Sequence, residues 1–511
     1  MRFNVSRRVR LTRIALGMLV LLILPFANGK PALFADTKAY IVLGGTIAEK
    51  LGLTHAGQGE SDLMGETQTP MTADASQERM HRALSVAAAR SPYYSFYLFL
   101  LATIGTFWLV IVVQALVAAL LVDLLATVIA PERVNLVYGS FIVALAAFST
   151  LPLYIGYMMP DLFTGLGIVA VLLLLVFPDR LSRWTCIWLG LFIAFCSLAH
   201  STHIISMSAA AIAGGAVLLM ASRLDRRQAS VRVTALIAIA CIGPFGAFVY
   251  VTAGSVVMKG AIHRPPFLMA RVLEDGPGRS YLAVACAADE NSYELCRYKD
   301  RDLSDSQAFL WAKGSPNGVF ASADSKTRLK LIAEEQRFIL SAVTHYPLDQ
   351  LQASLRNIGL LLLTTQVDDV TDTSAVFRDP EFSSLGRLFP GSDRCFADPA
   401  ACSSQLPDIA IAWIDSFAAI ASLILTIGIL AGSWRDTDDQ RRAVAFALAI
   451  FAAVLANAVI CGAVSGPFPR YETRVTWLMP LCLVGVFALR RRASFAIEQT
   501  GEIAGEARAR A

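Results

Sequence analysis

Apolar residues in this chain come in blocks of about 20, long enough as helices to cross about 30 Å of hydrocarbon and far longer than ordinary strands. Ten such blocks are legible, over residues 14–26, 107–130, 136–158, 162–177, 184–199, 204–221, 233–253, 409–434, 443–463 and 475–489. They predict an all-α polytopic membrane protein with about ten transmembrane helices. Two longer polar stretches interrupt the rhythm. The first, residues 30–95, opens with FADTKAYIVLGGTIAEKLGL, where Tyr40, Ile41, Leu43, Ile47 and Leu51 recur at helical spacing and predict an amphipathic helix on the membrane surface. Its middle, GQGESDLMGETQTPMTADAS, is rich in turn formers and reads as a loop. Order returns at RSPYYSFYLFLLATIG, with Tyr93, Tyr94 and Tyr97 placed as an interfacial aromatic belt. Residues 98–104 are too short to span alone and read as re-entrant or as the entry to the second span.

The second polar stretch, residues 255–408, is large enough to bury a small core. Pro265 and Pro266 start it, Gly276-Pro277-Gly278 turns it, and 325–366 reads as helices interrupted at Pro347. NIGLLLLTT within it is apolar enough to rest on a bilayer. The organisation is therefore a membrane module over 1–254 carrying the first loop, a domain over 255–408, further membrane helices over 409–490 and a tail over 491–511. No internal repeat suggests a duplicated transporter.

Charge supplies orientation. The chain has 511 residues, 55% apolar and only 16% charged, with a net charge of +4. Arginines cluster beside the spans, as orientation requires and a nucleic-acid groove does not, so no nucleic-acid partner is implied. Arg2, Arg7, Arg8, Arg10 and Arg13 precede the first span and place the N-terminus in the cytoplasm. Arg133, then Arg180 and Arg183, then Arg223, Arg226, Arg227 and Arg232, then Arg435, Arg441 and Arg442, then Arg490, Arg491 and Arg492 fall on the same side. With an even number of spans both termini are cytoplasmic and the domain is outside. The first span also fits a cleavable secretory signal, an alternative that leaves the rest of the topology unchanged.

Cysteines agree with this sidedness. Cys286 with Cys296, and Cys395 with Cys402, lie at short spacings in the outer domain and suit two local disulfides in an oxidising compartment, against the alternative of four reduced thiols. Cys186, Cys196, Cys241, Cys461 and Cys482 lie within spans as small apolar packing residues.

Ionisable residues near membrane ends then fall on one face. Asp36 follows the first span, Asp161 begins the fourth, His200 and His203 end the fifth, and Arg470, Glu472 and Arg474 lie between the last two. Polar groups at such depth are costly unless a cavity or partner uses them. Each also has a structural reading. Asp36 and Asp161 are placed to cap helices; the histidines, three apart, either ligate a metal with a third ligand or hydrogen-bond at the interface; Arg470 and Arg474 either meet lipid headgroups generally or hold one phosphate. Asp123 and Asp415 are intramembrane acids, the former near enough to the cytoplasmic end to snorkel.

An acid after the first span in FADTKAY, the basic aromatic RSPYYSFYLFL before the second, and MMPDLFTGL before the fourth resemble the C-type fold (GT-C) membrane glycosyltransferases. The resemblance covers mainly residues 1–210, and RYETRVTWLMPL is similar to a basic motif of an uncharacterised bacterial branch of membrane proteins. It implies a bacterial plasma-membrane enzyme that moves a sugar from a polyprenyl-phosphate carrier to an envelope lipid, glycan or protein at the outer face, with the carrier and membrane lipid as partners. Asp36 then matches the family's catalytic acid. Arg470 and Arg474, with Arg90 as a competitor, would meet the leaving phosphate, while Asp161, His200 and His203 orient hydroxyls. FADTKAY departs from the family in carrying a single acid where many relatives have a pair; no cofactor is required, and dependence on a divalent metal is left open. The large domain also lies between the seventh and eighth spans rather than at the C-terminus. The rival classes are a transporter or scaffold, and another lipid-linked envelope transferase such as a ligase or acyltransferase.

Overall fold

The computed structural model describes residues 7–53, 90–220, 226–257, 264–378, 380–432 and 437–492. Among these the only strand-like pairing is one isolated bridge, and everything else regular is helix. Membrane-side elements are α1 (Arg7–Leu21), α2 (Ile23–Asn28), α3 (Ala35–Lys50), α4 (Pro92–Ile129), α5 (Val134–Ala147), α6 (Leu151–Gly156), α7 (Leu162–Val176), α8 (Arg183–Ala199), α9 (His203–Met220), α10 (Arg226–Ala240) and α11 (Ile242–Val257). The polar domain contributes α12 (Phe267–Asp275), α13 (Pro277–Ala288), α14 (Ser325–His345) and α15 (Pro347–Leu362). α16 (Asp408–Ala431), α17 (Asp438–Ile460) and α18 (Pro469–Arg492) complete the bundle. The expected loop centred on GQGESDLMGETQTPMTADAS, Arg2, Arg223, Arg435 and residues 493–511 of the expected tail lie outside the described residues.

Seven helices among the described residues are long and apolar enough to cross a membrane, three fewer than the ten blocks expected. The blocks at 162–177 and 184–199 form shorter helices, α7 and α8, of 15 and 17 residues. The block at 136–158 is not one helix. Pro152 lacks an amide hydrogen and its ring would strike the carbonyl four residues back, so the helix breaks after Ala147 and restarts as the wholly buried α6. Asp415 supplies the acceptor this break needs: its carboxylate takes the Thr150 amide at 3.0 Å and the Thr476 hydroxyl at 2.8 Å. In the opposite sense, residues 98–104 are the entry to the second span, joined into α4 across a kink at Gly105 and Thr106.

The surface helix expected near Tyr40 is α3, which buries Tyr40, Ile41, Leu43 and Ala48, while Ile47 is half-buried and Leu51, past the helix end, is exposed. α3 lies very close to α4: a Cβ at Gly44 would fall 2.2 Å from the Ser95 carbonyl oxygen. Residues 255–408 hold two cores rather than one. Met269, Leu273, Leu282, Phe309 and Phe338 form a separate cluster with the Cys286–Cys296 disulfide. Val370, Phe377, Phe389 and the Cys395–Cys402 disulfide instead join the core of the membrane bundle. Of the five remaining cysteines, Cys196, Cys461 and Cys482 are buried as expected, but Cys186 is half-buried and Cys241 faces outward.

The bundle has two chemically distinct ends. At one, Arg180 bonds Asp439 at 2.7 Å, Arg442 bonds Asp179 at 2.9 Å, and Arg492 donates to the Ile129 carbonyl at 3.1 Å. Asp123, near this end, does not snorkel. It is fully buried and paired with both Arg10 and Arg13, and Arg13 also donates to Asn135 at 2.7 Å. A buried ion left without its counterion is strongly destabilising, so Asp123→Ala should lower unfolding stability by about 3 kcal/mol, read as a lower thermal midpoint in detergent. A change within about 0.5 kcal/mol, the range of ordinary surface substitutions, would show that α1 is not held by this pair.

Candidate functional site

At the other end, three chain segments are pinned before any side-chain chemistry begins. Ala32, just after α2, pairs in parallel with Tyr157: its amide donates to the Gly156 carbonyl and its carbonyl accepts from the Met158 amide, both at 2.9 Å. This clasp ties the approach to Asp36 to the approach to Asp161. α6 then docks on the start of α18, with the Thr150 hydroxyl donating to the Thr473 carbonyl and the Tyr154 hydroxyl to the Arg470 carbonyl, each at 2.6 Å. Gln114 in α4 holds α6 from behind, donating to the Ile155 carbonyl at 2.9 Å.

Asp36 and Asp161 do not cap helices. Phe34 is the N-cap of α3, and Asp36, in its first turn, is paired with Arg90 while keeping its side chain 25% exposed. Arg90 is thus the partner of the candidate acid rather than a free competitor for phosphate; its guanidinium also lies over the Tyr40 ring. Burial works against the charge on Arg90, but Asp36 and Tyr40 more than offset it and raise its pKa. Asp161 stands before α7 without making a cap bond and is almost fully buried against Arg474, 3.1 Å away.

Arg474 is the hub of this end. Besides Asp161 it donates to the Asn457 side-chain oxygen at 2.8 and 3.1 Å, to the Thr202 hydroxyl at 3.1 Å and to the Cys461 sulfur at 3.2 Å. A guanidinium has five N–H donors, and these contacts occupy most of them, so Arg474 is tied chiefly to its protein partners. Glu472 turns toward the same asparagine, 3.4 Å from its side-chain nitrogen. Arg470 is different. It is buried, its guanidinium lies 3.8 Å over the Phe34 ring, and its polar partners are the hydroxyls of Tyr471 at 3.3 Å and Tyr157 at 3.5 Å. No carboxylate among the described residues pairs with it, although Asp36 and Asp161 are both within electrostatic range.

The histidines join the cluster through Thr202, which bonds the His200 ring at 2.8 Å and accepts from Arg474. His200 and His203 lie 5.4 Å apart, and His203 bonds the Cys196 carbonyl at 2.9 Å, leaving its Nε2 buried without a partner among the described residues. No group of three His, Cys, Asp or Glu side chains among the described residues is arranged to hold a metal ion. His200 is half-buried as a residue, and packing around the ring and the nearby Arg474 hold its pKa down, to about 4.

All seven expected side chains, Asp36, Arg90, Asp161, His200, His203, Arg470 and Arg474, therefore stand at one end of the bundle, linked by pairing or electrostatic proximity. No family model matches this chain, and no curated protein does.

Three contributors escaped the expectations. Asn457 and Gln114 were detectable as lone amides inside apolar blocks, the pattern expected of intramembrane polar groups with buried partners. Asp369, in the short helix Asp368–Thr371 of the polar domain, was not: nothing in its local sequence links it to Arg470. Burial raises the Asp369 carboxyl above its ordinary range while Arg470 pulls it back. That short helix is strapped down by Asn28, whose side chain donates to the Thr371 carbonyl at 3.3 Å and accepts from the Gln405 amide at 3.1 Å.

Proposed function

We propose that this protein is a GT-C-like glycosyltransferase of a bacterial plasma membrane, with the arginine-rich end in the cytoplasm and the polar domain outside. It takes a sugar from a polyprenyl-phosphate carrier and gives it to an envelope lipid, glycan or protein. The observation that carries this reading is Arg470: a buried cation held by an aromatic face and phenol hydroxyls, without a carboxylate partner among the described residues, within electrostatic range of the partly open carboxylate of Asp36. Such a cation can be neutralised by an anionic ligand.

The chemistry follows from these two groups. The Asp36 carboxylate accepts the proton of the acceptor hydroxyl as its oxygen bonds to the sugar's anomeric carbon. The bond from that carbon to the phosphate oxygen breaks, and the charge left on the phosphate falls to Arg470. Arg90 positions Asp36, and Arg474 positions Asp161 and Thr202. Cells lacking the protein should accumulate an undischarged polyprenyl-phosphate sugar and lose its glycan; an unchanged lipid-linked sugar profile with altered solute uptake would favour a transporter and overturn the proposal.

His200 separates this reading from acyl transfer, in which a histidine would be the central base. With a pKa of about 4 it is neutral from about pH 5 upward. His200→Ala should therefore keep measurable transfer and leave the shape of the pH–rate profile between about pH 5 and 8 unaltered. Loss of one limb of that profile would assign the proton transfer to His200.

A further inference from the structure

Helix α15 of the polar domain has three faces. Asn357 and Leu361 are buried against the protein. Gln352 and Arg356 are exposed on a second face. On the third, Leu348, Leu351, Leu355 and Leu362 recur at spacings of three, four and seven residues, and the first three are 77%, 54% and 59% exposed. Leu363 follows at 80%. This exposure matches that of Ile409, Trp413 and Phe417, on the outer face of the spanning helix α16. A contiguous leucine stripe bordered by polar side chains is a surface that water does not favour.

The level of the helix along the bundle identifies what covers the stripe. α17 ends in a π-helical turn, Cys461–Ser465, and α15 crosses that turn backbone against backbone: a Cβ at Gly462 would lie 2.9 Å from both the Cα and the amide nitrogen of Ile358. Asp275 reinforces the crossing by accepting from Asn357 and Gln350 at 2.8 Å each, together with Arg271. Asp439, in the first turn of α17, marks the opposite membrane boundary through Arg180 and Arg492. The 23 residues of α17 rise about 35 Å, close to the roughly 30 Å hydrocarbon thickness. The crossing at Ile358 therefore lies at the other edge of the hydrocarbon.

We infer that α15 is a membrane-interface helix whose leucine stripe is seated among the acyl chains of the leaflet on the domain side, with Gln352 and Arg356 directed to the headgroups. The inference does not depend on the transferase reading. It can be tested on the full-length protein reconstituted in vesicles of phosphatidylethanolamine and phosphatidylglycerol, with p-benzoylphenylalanine placed in turn at Leu351, Leu355 and Gln352. All three positions are exposed, and Gln352, next to Leu351 in sequence, controls for reconstitution. After illumination, intact mass should show phospholipid adducts at Leu351 and Leu355 at least several-fold above Gln352. Absence of lipid adducts at either leucine, equal labelling at all three positions, or adducts to a second protein copy would overturn the assignment.

Discussion

Asp36→Asn is expected to lower sugar transfer by a factor of about 10²–10⁴, the usual contribution of a positioned general base, while leaving the protein folded. The substitution keeps the shape of the side chain and its ability to accept a hydrogen bond from Arg90, but removes the charge that takes the acceptor's proton. The pair it weakens is partly exposed, at 25% for the Asp36 side chain, so little stability should be lost. Transfer measured with purified protein and a lipid-linked donor should therefore collapse without a matching fall in thermal midpoint. Activity close to that of the unaltered protein would remove Asp36 from the mechanism.

Arg474→Met should have the opposite signature. It leaves Asp161 buried without its cation, and also deprives Asn457, Thr202 and Cys461 of a shared donor. Breaking one side of a buried pair costs about 3–5 kcal/mol, and the additional unsatisfied acceptors place this case toward the upper end. The thermal midpoint should fall well below that of Asp36→Asn. Adding Asp161→Leu to Arg474→Met should recover part of the loss, because removing both charges eliminates the unpaired ion. If the double variant is as unstable as the single one, Asp161 is not the group that Arg474 compensates.

The contrast between these two residues shows what could be read from the chain. Apolar block length disclosed the helical membrane architecture, and the cysteine spacings anticipated both disulfides. The polar residues at span ends were legible as one set because burial makes such groups exceptional wherever they occur. Their division of labour was not. Arg470 and Arg474 lie one helical turn apart and look equivalent in sequence; only the positions of Asn457, Thr202 and Asp161 on other segments give Arg474 several polar partners while Arg470 rests on aromatic rings and phenol hydroxyls. Block length also read 136–158 as one helix, because a hydrophobic average there does not register the break that Pro152 imposes or the acid on α16 that accepts the Thr150 amide at the break.

The single bridge between Ala32 and Tyr157 works as a caliper. The same number of residues separates Ala32 from Asp36 and Tyr157 from Asp161, and the two backbone hydrogen bonds at the pivot involve no side chain. The bridge thereby keeps the two main-chain approaches in register, so that each acid leaves the same anchor toward its own arginine, Asp36 toward Arg90 and Asp161 toward Arg474.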